Sequence, residues 1–253
     1  MDIALKRLVL LVSLAGLLGG CGSPTTCPRA IFLDGAGWYT GDGPVRAGLR
    51  EAGFVGPVER FGWASLLGPV PDHILAGGLH PKIGALADRI SELRKANPSG
   101  KIVLVGLSAG TSILVRALER LPDDVQVDYV VLLSPSISSR HDLGPALRHV
   151  RHRLYATSSE HDTLLAAAPT SAGLGGGRPA GRFGFELPES GPSRMEYSKV
   201  VPLPWQPSYA AYGWNGGHVS VTSREFIRVV IAPRILDERP HPLDQPMLAG
   251  SQS

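Results

Sequence analysis

The run Gly106-Leu107-Ser108-Ala109-Gly110 sets a serine between two glycines, each two residues away. A serine hydroxyl is a weak nucleophile until a base takes its proton, so this serine points to attack on an electrophilic carbon if a histidine can reach it. Ile102-Val103-Leu104-Val105 just before it is aliphatic and β-branched, and Ile113, Ala117, Leu118 and Leu121 after it recur at helical spacing. Strand, sharp turn and helix form the context of a nucleophile elbow, which holds the serine Oγ out above the end of a sheet. Glycine is required at 106 and 110 because a side chain there would collide with neighbouring backbone. Of the eight histidines, His73 and His80 precede the serine, and His141, His149, His152, His161, His218 and His241 follow it.

An elbow works only if a sheet carries it. Ala30–Asp34 reads as a short buried strand ending in the turn Gly35-Ala36-Gly37, and Asp42-Gly43-Pro44 opens a helix that closes near Gly53. Val58–Phe61 is a further candidate strand. Between Pro81 and Asn97, Ile83, Leu86, Ala87, Ile90 and Leu93 form one apolar stripe, which predicts a helix lying on a sheet. Tyr129–Leu133 and Arg153–Ala156 are further apolar strands, with a candidate helix over 142–150 between them. Unbroken apolar strands alternating with helices predict an α/β fold: a compact, mostly parallel sheet flanked by helices. Residues 163–195, with Gly173, Gly175, Gly176, Gly177, Pro179 and Gly181, interrupt the alternation and read as a surface excursion near the site.

The chain has 253 residues, 43% hydrophobic and 19% charged, enough for one sizeable core and too apolar for an unfolded chain. Lys and Arg total 25 against 22 Asp and Glu with no basic block, so nucleic acid is not an expected partner. Two cysteines exclude a disulfide framework and a four-cysteine zinc site. His141, Asp142, His149, His152, His161 and Asp162 crowd one region at no spacing that matches a metal-ligand pattern, so neither a metal nor another cofactor is expected.

Lys6 and Arg7 precede an apolar stretch, Leu8–Leu18, too short for a bilayer that takes about 20 residues to span. This is the order of a secretory signal. Leu18-Gly19-Gly20-Cys21 resembles the lipobox of bacterial lipoproteins, which implies lipid attachment at Cys21, export, and a membrane partner through the anchor. The other reading is a plain cleaved signal, with Cys21 and Cys27 free to oxidise together. The expected organisation is a signal peptide over 1–20, a tether over 21–29, the catalytic domain over 30–232, and a proline-rich tail over 233–253.

From the elbow onward the chain resembles the α/β-hydrolase fold, over roughly residues 30–232. That family orders its triad nucleophile, acid, histidine. The resemblance implies Ser108 as nucleophile and, after the next-but-one strand, Asp162 as acid, with Glu160 and Asp142 as alternatives. It implies His218, in Gly216-Gly217-His218 ahead of the helical pattern Phe226, Ile227, Val230, Ile231, as the base. The oxyanion donors would be the backbone amides of Ala109 and of Ala36 or Gly35. Asp34-Gly35 stands where many relatives carry His-Gly, and Asp34 is expected to cap the amides of its own turn. Since the first strand starts almost at the tether, the fold should be lightly lidded.

Trp38 and Tyr39 after the oxyanion turn, and Trp205, Tyr209, Tyr212 and Trp214 before His218, are expected on one rim, with Trp38, Tyr39 and Trp214 in a substrate pocket and Phe183 and Phe185 as a flap. The activity implied is a serine hydrolase of the cell envelope acting on a small-molecule or lipid carboxylic ester. Thioesterase, acyltransferase or peptidase chemistry would use the same triad. A non-catalytic anchored binding domain on the same scaffold is the rival from another class.

Overall fold

The computed structural model of the chain describes residues 26–37, 40–64, 71–72, 80–167, 177–237 and 239–248. Six strands form one sheet in the order β2-β1-β3-β4-β5-β6: β1 is Arg29–Leu33, β2 Val58–Arg60, β3 Ile102–Leu107, β4 Val127–Leu133, β5 Val150–Ser158 and β6 Val200–Pro204. Every pairing is parallel, so all six strands leave the sheet at the same edge. This is the expected α/β class. The order reverses between β1 and β3, and in open α/β sheets ligands sit in the crevice such a switch leaves outside the strand ends.

Helices cover both faces. Helix α2, Lys82–Ala96, buries the expected stripe Ile83, Leu86, Ala87, Ile90 and Leu93, and packs with α3, Ala109–Leu118, on one face. On the other, Val45 and Leu49 of α1, Asp42–Glu51, meet Phe226 and Ile227 of a C-terminal helix, Arg224–Phe226, which continues through a π-helical turn, Ile227–Ile231, into Ala232–Leu236. Fully burying one such aliphatic side chain contributes about 1.5–3 kcal/mol. No helix among the described residues is long and apolar enough to cross a membrane.

The expected helix over 142–150 is a single turn, Gly144–Leu147, because β5 already starts at Val150. Strand β6 was not expected from the sequence: Val-Val-Pro-Leu-Pro carries two prolines, which an edge strand accepts because it has an unpaired side.

Both ends of the described chain are built into the body. Cys27 is disulfide-bonded and buried, and its carbonyl accepts a 2.7 Å hydrogen bond from Asn97 Nδ2. Cys21, the sequence's other cysteine, and the signal segment lie outside the described residues. Beyond residue 232, the Asp244 side chain is 2% exposed and accepts from Arg234 Nε at 2.9 Å and from the Tyr155 hydroxyl at 2.9 Å, while Met247 N donates to Val200 O at 2.8 Å. The proline-rich C-terminal segment is therefore pinned to the body by a buried ion pair.

Candidate active site

Ser108 is the hinge between β3 and α3. Its backbone sits at φ 51°, ψ −123°, one of two non-glycine residues with positive φ among those described. Holding a side-chain-bearing residue there costs of order 1–3 kcal/mol and persists only when the surroundings enforce it. They do so with three hydrogen bonds: Ser108 N donates to Leu133 O at the end of β4, and Ser108 O accepts from Thr111 N at 3.0 Å and Thr111 Oγ1 at 2.5 Å. The flanking glycines are needed for the reason expected. A Cβ on Gly106 would lie 3.1 Å from Thr111 Cα, and one on Gly110 would lie 2.3 Å from Asp34 O. The second positive φ, 43° at Ser134 after β4, carried no signal in the sequence; its amide donates to Thr157 Oγ1 at 2.8 Å.

The turn after β1 closes on the elbow. A Cβ on Gly35 would stand 3.2 Å from Ser108 Cβ, so backbone lies directly against the serine. The amides of Gly35, Ala36 and Ala109 make no hydrogen bond with another described residue. Backbone N–H groups beside a nucleophile are what a developing oxyanion requires. Asp34 is turned away from this role. Its Oδ1 accepts from Gly41 N at 2.6 Å and its Oδ2 from Arg60 Nε at 3.0 Å, so it caps not the amides of its own Gly35-Ala36-Gly37 turn, as expected, but the amide at the start of α1, and it forms an ion pair that nothing in the sequence announced. Burial raises its carboxyl above the usual aspartate value, against the opposing pull of the Gly41 amide and Arg60.

Asp162 follows β5, the next-but-one strand after the elbow, and is fully buried. Its Oδ1 accepts from Leu165 N at 2.9 Å, which fixes the carboxylate at the start of the short helix Thr163–Ala167. Its Oδ2 lies 2.7 Å from Nδ1 of His218, itself 9% exposed. The two alternative acids are elsewhere: Asp142 bonds Gly144 N and Ser193 Oγ, and Glu160 lines a separate cavity. The other histidines of the crowded region are dispersed, His141 on Glu119 and His149 on the Val125 carbonyl. Among the described residues no cluster of His, Cys, Asp or Glu is arranged to hold a metal.

The segment after His218 reaches back to the β1 turn, since a Cβ on Gly41 would meet Thr222 Cγ2 at 3.1 Å while the Gly41 amide holds Asp34. Ser108, the Gly35 turn and the Asp162–His218 pair thus share the exit edge of the sheet. No described hydrogen bond involves Ser108 Oγ, so the serine and the histidine are brought to one region without being joined. Catalytic hydrogen bonds are often long without substrate and tighten in the complex.

No family model matches the sequence, and no curated protein does. Solved structures do resemble it. A poly(3-hydroxybutyrate) depolymerase from Bordetella parapertussis is 13% identical over 88% of this chain and 83% of its own, with a TM-score of 0.46. An esterase from Pyrococcus furiosus is 14% identical over 82% and 79%, at 0.44. A cutinase from Trichoderma reesei is 13% identical over 90% and 83%, at 0.42. Likeness at this level assigns no activity to the chain.

The expected aromatic pocket needs correction. Trp214 is fully buried, stacked on Tyr209 at 5.6 Å and packed on Phe226 at 4.7 Å, so it belongs to the core and not to a substrate pocket. A large apolar ring next to the C-terminal helix gains more by burial than by facing a cleft. Trp38 and Tyr39 lie outside the described residues. Phe185 is buried in the core, and Phe183 is exposed and lines a cavity with Trp205.

Proposed function

We propose that this chain is a serine hydrolase that cleaves carboxylic esters through Ser108, His218 and Asp162, exported and held at the cell envelope. The observation that carries the reading is the 2.7 Å contact between His218 Nδ1 and Asp162 Oδ2, taken with the strained elbow geometry of Ser108 at the same edge of the sheet. With Nδ1 occupied by the carboxylate, Nε2 is the nitrogen left to accept the Ser108 proton. Oγ then attacks the ester carbonyl, and His218 returns the proton to the departing alcohol. Water, deprotonated by the same imidazole, releases the acid from Ser108. Asp162 keeps the imidazole in the required tautomer and stabilises its cation, while the amides of Ala109 and of Gly35 or Ala36 receive the oxyanion.

The disulfide at Cys27 supports export, since such bonds persist outside the reducing cytosol, but its one possible partner in the sequence is Cys21, so it competes with the lipid anchor, which rests on Leu18-Gly19-Gly20-Cys21 alone. The test of the activity is hydrolysis of 4-nitrophenyl butyrate: turnover that Ser108→Ala abolishes is expected, and turnover that survives it sinks the reading. The rival is a binding domain on the same scaffold. It requires that the folded wild type hydrolyse no ester at all.

A further inference from the structure

The triad leaves one feature of this edge unused, a cavity of about 540 Å³ where β5 and β6 end. Its walls include Arg178, Arg182, Phe183, Trp205, His161 and Glu160. Both guanidiniums stack on one ring, Arg178 Cζ 4.4 Å and Arg182 Cζ 5.5 Å from the Phe183 centroid. Stacking of this kind holds the planar fork of arginine while leaving its edge free for an anion. Arg182 Nη1 also donates to Asp162 O at 3.2 Å, tying the cavity wall to the backbone of the acid. The ring of His161 meets Trp205 edge-on at 4.6 Å, which completes an apolar side.

Charge selects the ligand. Two arginines and one glutamate line the cavity, and the other acid near Arg178, Glu186 at 3.8 Å, already accepts from Ser139 and Arg140. The surplus is a single positive charge, which fits a monoanion, and an arginine fork matches the two oxygens of a carboxylate. Position relates the cavity to the chemistry. Ser158 and Pro204, the last residues of β5 and β6, line it, while Ser108 follows β3 at the same edge. Neighbouring strands stand about 4.8 Å apart, so the β5 exit is about 10 Å from the β3 exit. Two residues before His218, a Cβ on Gly216 would lie 3.0 Å from His161 Cβ, so the histidine loop touches the cavity wall.

We propose that this cavity is a subsite for a carboxylate at the far end of the substrate's acyl chain, bound by Arg178 and Arg182, so that monoesters of dicarboxylic acids are preferred over neutral esters. The proposal rests on the Ser108 hydrolase reading, and its test separates the two. Binding is measured first, by calorimetry with monomethyl suberate on Ser108→Ala, which removes turnover. Binding weakened about tenfold or more by Arg178→Gln is expected, a size typical of losing a charge-assisted hydrogen bond, and neutral dimethyl suberate should bind no better to either protein. Arg178 is the variant of choice because its side chain is largely exposed and does not bond the Asp162 backbone.

Kinetics follow on the wild type, with mono-4-nitrophenyl esters of dicarboxylic acids from glutarate to sebacate against neutral alkanoates of equal length. One anionic length should exceed its neutral partner in kcat/KM, and Arg178→Gln should erase that preference while leaving the neutral ester unchanged. Binding indifferent to Arg178 and to the ligand's charge overturns the subsite, as does equal loss on both ester classes. Arginine-dependent binding with no turnover of any ester overturns the hydrolase reading and leaves the cavity assignment standing.

Discussion

His218 and Asp162, 56 positions apart in the chain, meet across 2.7 Å in a buried hydrogen bond. The carboxylate is held from the other side by Leu165 N, so it can hold the imidazole without moving. Asp162→Asn keeps the shape and reverses the hydrogen-bond preference, presenting an amide where an acceptor is needed. We expect kcat on 4-nitrophenyl butyrate to fall by about 10⁴ with little change in KM, the scale seen when a triad loses its orienting acid. A loss below about tenfold would mean that Asp162 only supports the loop.

The elbow makes a contrast between two glycines measurable. A Cβ on Gly110 would press to 2.3 Å on Asp34 O, whereas one on Gly43 in α1 meets nothing within 4 Å. Gly110→Ala should cost about 1–3 kcal/mol in urea unfolding, with lost activity, because backbone must move. Gly43→Ala should stabilise by about 0.5–1 kcal/mol through lower unfolded-state entropy. Equal effects at the two positions would remove the close-packed elbow from the explanation.

Much of this edge was legible from local pattern. The α2 stripe, the apolar strands and the glycines at 106 and 110 each follow from a rule that acts within a few residues, and the structure places them accordingly. Asp162 and His218 were reachable only through the triad order of a resembling family, because nothing local marks one aspartate as the partner of a distant histidine. What escaped depends on tertiary context. Val200–Pro204 reads as a non-strand until the free edge beside β5 is known, and Trp214 reads as a rim residue until Phe226 folds beneath it. The ion pair of Asp34 with Arg60 and the stacking of Arg178 and Arg182 on Phe183 join side chains with no shared periodicity.

The C-terminal segment supplies a stability prediction. The side chains of Arg234 and Asp244 are 5% and 2% exposed, and Asp244 also accepts the Tyr155 hydroxyl, whose pKa is pushed up by burial and by Asp244. Asp244→Ala strands a buried guanidinium, so a loss of about 3–5 kcal/mol is expected in chemical denaturation. A change within about 0.5 kcal/mol, the range of ordinary surface substitutions, would show that the segment is merely laid on the body.

The N-terminus has two exclusive outcomes. A thioether to lipid uses the Cys21 sulfur, and so does a disulfide from Cys21 to Cys27. For a mature protein purified from membranes, mass spectrometry should find a diacylglyceryl-modified Cys21 if the lipoprotein proposal is correct. An unmodified N-terminus, with a peptide linking Cys21 to Cys27, would favour a cleaved, unanchored exported protein.

The central claim is that Ser108 is a nucleophile, and covalent labelling tests it most directly. The folded protein is treated with a fluorophosphonate and the adduct is located by peptide mass spectrometry. One adduct on Ser108 is expected, absent in Ser108→Ala and strongly slowed in His218→Ala. A folded wild type that stays unlabelled, or that carries the phosphonate on another serine, would contradict the assignment.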